Sequence, residues 1–145
     1  MIFEVKHFDQ LSNRELYEIL KARCAVFSVE QKMNCQDLDD LDYECFHFYL
    51  HEQGKVVAYF RAHFVDEGRR YIKIGRCLTT IRGKGWGAEV MNNGLWYLNK
   101  VYEPKKIIIH AQTHAIGFYE KFDFKVTSEE FLEEGIPHVV MERRR

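Results

Sequence analysis

The chain has 145 residues, 46% hydrophobic, 30% charged and 14% aromatic, with a formal net charge of −1. That length suits one domain that buries its own core without a metal or disulfide staple, and the charge lacks the basic surplus of a dedicated nucleic-acid binder. No run approaches the roughly 20 apolar residues of a membrane-crossing helix.

The first residues alternate like a strand rather than a signal peptide, and Cys24, Cys35, Cys45 and Cys77 include no CxxC pair. A cytoplasmic setting with free thiols is therefore expected. Ile2, Val5 and Phe8 mark the first strand. Ser12-Asn13-Arg14-Glu15 is a capping box. The helix it opens carries Leu16, Ile19, Leu20, Arg23, Cys24 and Phe27 on neighbouring faces and ends near Gln31. Residues 32–44 are acidic and without period, hence a loop.

Phe46 to His51, Lys55 to Val65 and Tyr71 to Leu78 are rich in aromatic and β-branched residues, with turn signals at Gln53-Gly54 and Glu67-Gly68. They predict an antiparallel meander. Arg82-Gly83-Lys84-Gly85-Trp86-Gly87 follows and opens a helix whose stripe is Ala88, Met91, Leu95, Leu98 and Tyr102. Trp96 is expected to pack on that helix, and Pro104 stops it. A buried strand over Lys106 to Ala111, a short helix over Ala115 to Phe122, and strands Lys125 to Ser128 and His138 to Glu142 complete one α/β domain over residues 1–145.

The glycine loop carries the most chemistry. A helix start leaves backbone N–H groups unpaired and partially positive, glycines let backbone approach a ligand, and Arg82 and Lys84 add charge. Together they describe a pyrophosphate cradle. The loop lacks the ending of a P-loop. It also follows a meander rather than opening a first βαβ unit, which argues against a dinucleotide fold.

A strand, then Arg-x-x-Gly-x-Gly, then a helix resembles the GNAT acyltransferase superfamily; Arg82, Gly85 and Gly87 hold the motif positions. Phe118-Tyr119-Glu120-Lys121-Phe122-Asp123-Phe124 matches its Phe-Tyr-x-x-x-Gly-Phe pattern, except that Asp123 replaces the glycine at a helix C-cap. Four further matches are similar to the ElaA-like branch: Arg23-x-x-Val26-Phe27-x-x-Glu30-Gln31; Asp39 leading to His47; Ala111-Gln112-x-His114; and Gly135-Ile136-Pro137-His138-x-x-Met141. The resemblance implies an α+β layered GNAT fold, with a mixed, mostly antiparallel sheet of about six or seven strands flanked by about four helices.

It also implies acetyl-CoA as cofactor. Arg82, Gly83, Lys84, Gly85, Trp86 and Gly87 would hold the pyrophosphate, backbone of Cys77, Leu78 and Thr79 the pantetheine arm, and Tyr119 would lie by the sulfur. Arg23, Gln31, His47, Arg76 and Gln112 would line the acceptor pocket. Arg23 and Arg76 hint at an acceptor with a carboxylate or phosphate. Acyl transfer to an amine needs an acid for the leaving thiolate and a base for the amine. Tyr119 is the candidate acid. His138, an imidazole that titrates near neutrality, and Glu30, acting through a water, are the candidate bases. His47 and His51 share a strand face but lack a third metal ligand nearby. The expected activity is acetylation of a small-molecule amine. The alternatives are a non-catalytic acyl-CoA sensor and a protein-modifying acetyltransferase. Similar proteins are commonly homodimers; no nucleic-acid or membrane partner is expected.

Overall fold

The computed structural model describes residues 1–33 and 36–145; Cys35 thus lies outside the described residues. Cys24, Cys45 and Cys77 are free thiols. The strands are β1 (Ile2–His7), β2 (Phe46–Glu52), β3 (Lys55–Phe64), β4 (Tyr71–Thr79), β5 (Lys106–Gln112), β6 (Lys125–Val126), β7 (Phe131–Glu133) and β8 (Ile136–Arg144). The helices are α1 (Asn13–Arg23), α2 (Trp86–Tyr102) and α3 (Ile116–Glu120). Among the described residues this makes eight strands and three α-helices, where about six or seven and about four were expected.

The extra strand is β7, which pairs with β8 through Phe131–His138 and Glu133–Ile136. The sheet order is β1-β2-β3-β4-β5-β8-β6, with β7 also on β8. Only β4 and β5 pair in parallel among these strands.

Strand alternation sends side chains to two helical layers. Phe48, Phe60, Ala62, Ile72 and Ile74 pack with Val90, Met91, Leu95 and Leu98 of α2, while Tyr49 and Tyr59 pack with Ile19, Ala22 and Val26 on the α1 side. Helix α1 starts at the predicted capping box, with Glu15 N donating to Ser12 Oγ and Ser12 N to Glu15 Oε1. It continues as π-helical turns over Cys24–Glu30. Trp96, expected to pack on α2, is 66% exposed, because its position points away from the sheet.

Two features shape the site. Opposite Phe60, between the pairs Arg61–Gly75 and Tyr59–Leu78, β4 has two residues, Arg76 and Cys77, and Arg76 sits at φ 55. The extra residue makes a bulge and inverts the facing of the strand beyond it. Ile72 and Ile74 therefore face α2, whereas Leu78 joins the α1 cluster and Cys77 turns to the α2 side. The β4–β5 ladder stops at Ile74–Ile109, although β5 goes on pairing with β8 as far as Gln112–His138. The two strands part there, and the gap opens at the N-terminus of α2.

Candidate active site

The gap forms a groove of about 240 Å³ lined by Cys77, Leu78, Thr79, Arg82, Gly87 and Tyr119 among others. At its end, Gly83 and Gly85 take φ 78 and 77, and no side chain caps the start of α2. Positive φ at both positions is what glycine supplies at no steric cost. Space is open on the side where a Cβ would stand at each of them. At Gly87 a Cβ would meet Thr79 Cγ2 at 3.2 Å and Phe118 Cζ at 3.5 Å, so this glycine lets the helix close against β4 and α3. An uncapped, partially positive helix start beside an unpaired strand edge fits a pyrophosphate and an extended amide-bearing arm. Lys84 is exposed and Trp86 half-buried against the core. Arg82 is exposed, and its Nη2 lies 2.9 Å from Glu30 Oε1.

On the other side of the gap is a cavity of about 480 Å³. Gln31, Arg76, Gln112, His138, Cys77 and Tyr119 line it, and the last two also line the groove. Gln112 Nε2 donates to Gln31 Oε1 at 3.3 Å. Glu30 lines the groove and not this cavity.

Arg23 and His47 do not line it either. Arg23 is 0% exposed; its Nε donates to Asp37 Oδ2 at 2.9 Å and its Nη1 to Asp42 Oδ1 at 2.7 Å. Asp42 also accepts from Arg61 Nη1 at 2.9 Å, Arg61 Nη2 donates to Asp39 Oδ2 at 2.6 Å, and Arg76 Nε to Asp37 Oδ1 at 2.7 Å. Three arginines thus face three aspartates, and the acidic loop is fastened across β3 and β4 as a cavity wall. His47 bonds the Asp42 carbonyl through Nε2 at 3.0 Å and the Tyr59 hydroxyl through Nδ1 at 2.6 Å. The carbonyl only accepts, so Nε2 carries the proton and Nδ1 accepts from Tyr59. Burial pushes the His47 pKa down, keeping the ring neutral in this structural role.

Tyr119 is 8% exposed. Burial, then the neighbouring Cys77, which is its hydrogen-bond partner, push its pKa well above the ordinary value; burial pushes the Cys77 thiol up to about 12. Both groups therefore hold their protons at neutral pH, as a general acid must.

His138 is 5% exposed, with Nδ1 2.7 Å from the Ile136 carbonyl oxygen. Glu133, His110 and Lys73 join it in the cavity. None of these three stood out in the sequence. His110 carried a readable signal, a polar residue directly after the apolar run Ile107–Ile109. Glu133 sits within an acid-rich run and on the missed strand β7. Among the described residues, no three His, Cys, Asp or Glu side chains are placed to hold a metal, and no helix is long and apolar enough to cross a membrane.

A sheet parted between β4 and β5, with a glycine-rich helix start at the gap, defines the acyl-CoA N-acyltransferase class of fold. Escherichia coli ElaA superposes with a TM-score of 0.90 at 32% identity, and an acyl-CoA N-acyltransferase from Pseudomonas aeruginosa with 0.89 at 30%, each pair covering 99% of both chains. In sequence, E. coli ElaA is 35% identical over 141 residues, 94% of this chain and 92% of that protein. The model of the acetyltransferase (GNAT) domain matches residues 18–145. The chain belongs to the GNAT acetyltransferase family.

Proposed function

We propose that the chain is an acetyl-CoA-dependent N-acetyltransferase acting on the amine of a small molecule in the cytoplasm. The observation that carries this reading is that Tyr119 and Cys77 line both the groove read as the cofactor's and the cavity read as the acceptor's. A thioester carbon in the parted sheet would then face an amine arriving from the other side. Arg82, Lys84 and the backbone from Gly83 through Trp86 to Gly87 would hold the pyrophosphate, and backbone of Cys77, Leu78 and Thr79 would take the arm.

Acetyl-CoA supplies the activated acyl carbon. His138, in the cavity with a free Nε2, takes a proton from the amine so that its nitrogen lone pair forms the new C–N bond. Tyr119 would give its proton to the leaving sulfur and be reprotonated by the second N–H proton, which the nitrogen loses as the amide forms. Glu30 is the less suited base, because it lines the groove and not the cavity that would receive the amine. Gln31, Arg76 and Gln112 shape the acceptor cavity, while Arg23 and His47 support its wall. With Arg23 and Arg76 paired to aspartates, neither is left to recruit an anionic acceptor. The wall formed by the loop through Asp37 and Asp39 favours a small molecule over a protein segment.

The test is release of free thiol from acetyl-CoA with a library of small amines and, in parallel, lysine peptides. Turnover of a small amine supports the reading. Binding of acetyl-CoA without turnover on anything points to a sensor, and turnover of peptides alone points to a protein-modifying enzyme.

A further inference from the structure

The cavity holds a polar cluster of which the transfer chemistry above uses only His138. Glu133 of β7 reaches two imidazoles. Its Oε1 lies 2.9 Å from His110 Nδ1 of β5, and its Oε2 lies 3.7 Å from His138 Nε2 of β8. The Phe131 ring sits against both, edge-on to His110 at 5.5 Å and stacked with His138 at 6.1 Å. Burial would raise the Glu133 pKa, but the hydrogen bond and charge of His110, together with His138 and Lys73, outweigh it and hold the carboxylate below its ordinary value. Glu133 is therefore an anion fixed in the acceptor cavity.

The geometry at His138 is incomplete. The Ile136 carbonyl oxygen can only accept, so Nδ1 donates to it, and whenever the ring carries a single proton Nε2 presents a lone pair. That lone pair faces a carboxylate oxygen 3.7 Å away. Two acceptors oppose each other across a gap too long for a hydrogen bond between them. An alkylammonium group resolves this, since it brings three N–H donors and a positive charge. Its nitrogen can stand within hydrogen-bond distance of both atoms.

On the reading that this cavity receives the acceptor amine, we infer that Glu133 Oε2 and His138 Nε2 form the seat of the acceptor's ammonium group, with His110 clamping Glu133 in place. The amine enters in its abundant charged form. It gives one proton to His138 Nε2, and its nitrogen is left neutral beside the carboxylate, which holds a second N–H. Glu133 thus selects for a primary or secondary amine that still has N–H bonds to donate, and against quaternary ammonium or uncharged hydroxyl compounds.

The test uses two probes of equal charge on the full chain saturated with CoA: n-butylammonium chloride and n-butyltrimethylammonium chloride, which has no N–H. Histidine ring nitrogen resonances are followed by NMR. The expected result is a saturable shift of the His138 resonances with n-butylammonium and none with the trimethyl probe. Glu133→Gln should weaken this binding about 10- to 100-fold, the scale of losing a charge-assisted hydrogen bond. Glu133→Asp should restore part of it, and CoA affinity should be unchanged in both variants. No saturable shift, an equal response to the trimethyl probe, or undiminished binding in Glu133→Gln overturns the seat. Because probe binding needs no turnover, a seat that binds in a protein releasing no thiol with any amine would reject the acetyltransferase reading instead.

Discussion

Arg82 and Glu30 both line the groove proposed for the cofactor, lie 52 residues apart in sequence, and meet at 2.9 Å. Both side chains are substantially exposed, 75% and 44%, and a pair of that kind is worth about 0.2 to 1 kcal/mol. Pyrophosphate bound at the start of α2 must draw Arg82 away from Glu30. Glu30→Gln should therefore raise CoA affinity about 1.5- to 5-fold at low salt, and the gain should shrink as salt screens the pair. Calorimetric titration of CoA into both proteins at two ionic strengths checks this. Equal affinities at low salt would show that the pair does not compete with the ligand.

Tyr119→Phe removes only the hydroxyl, which the proposed mechanism needs when the thiolate leaves. The expected loss is about 10- to 1,000-fold in kcat, with little change in the KM for acetyl-CoA. Since burial raises the Tyr119 pKa well above its usual value, ionisation of this phenol should produce no alkaline fall in kcat below about pH 10. Steady-state rates against pH test both statements. A kcat within twofold of the parent, with chemistry rate-limiting, would remove Tyr119 from the acid role.

Two backbone positions make opposite stability predictions. Gly94 lies in the middle of α2, where a Cβ would overlap the Phe60 ring and stand 3.3 Å from Phe48 Cδ1. Alanine gains about 1 kcal/mol of helix propensity there, but overpacking this buried contact costs about 1 to 3 kcal/mol. Gly94→Ala should be neutral at best and destabilising by up to about 2 kcal/mol. Asp123 occupies the left-handed region at φ 68 in the turn that follows α3, two residues beyond the C-cap Lys121. Asp123→Gly should relieve strain there and raise the melting temperature by a few degrees, for a gain of about 0.5 to 1 kcal/mol. Thermal unfolding of the two variants checks the signs.

Local chemistry is what the sequence displays best. The Ser12–Glu15 box, the Gly83 and Gly85 turn and the α2 stripe each depend on residues close in the chain, and each stands where the sequence puts it; Asp123 is left-handed but lies in the turn beyond α3, whose C-cap is Lys121. The bulge was hidden, because Arg76 is a non-glycine residue at positive φ between the pairs Gly75–Arg61 and Leu78–Tyr59. So was the role of Arg23 and His47: whether a polar side chain lines a cavity or braces its wall is decided by partners far away, here Asp37, Asp42 and Tyr59. Strand β7 was missed because three residues in an acidic stretch show no alternation. Glu133 was lost with it.

Asp42 ties the wall of the acceptor cavity to the sheet, and its removal makes the sharpest stability prediction. Its Oδ1 accepts from Arg23 at 2.7 Å and Arg61 at 2.9 Å, while Arg23 is wholly buried. Asp42→Asn leaves Arg23 with Asp37 as its remaining charged partner, and breaking a buried pair from one side costs about 3 to 5 kcal/mol. Acid should act through the same carboxylates. Burial alone would raise the Asp42 pKa, but Arg23 and Arg61 outweigh it; Asp39 is lowered chiefly by its hydrogen bond to Arg61. At Glu15 burial is outweighed by Lys6, Ser12 and Tyr49, and its pKa falls to about 2. All three folded values lie below the ordinary ones, 3.8 for Asp and 4.5 for Glu. Their stabilisation is therefore present above those ordinary values and is lost as pH falls through the folded values. Urea unfolding measured from about pH 5 down to about pH 2 should show stability declining across that window. In Asp42→Asn the decline should start from a lower plateau and be shallower, because one depressed carboxyl is gone. A variant as stable as the parent at neutral pH, with the same acid slope, would show that the arginine cluster does not depend on Asp42.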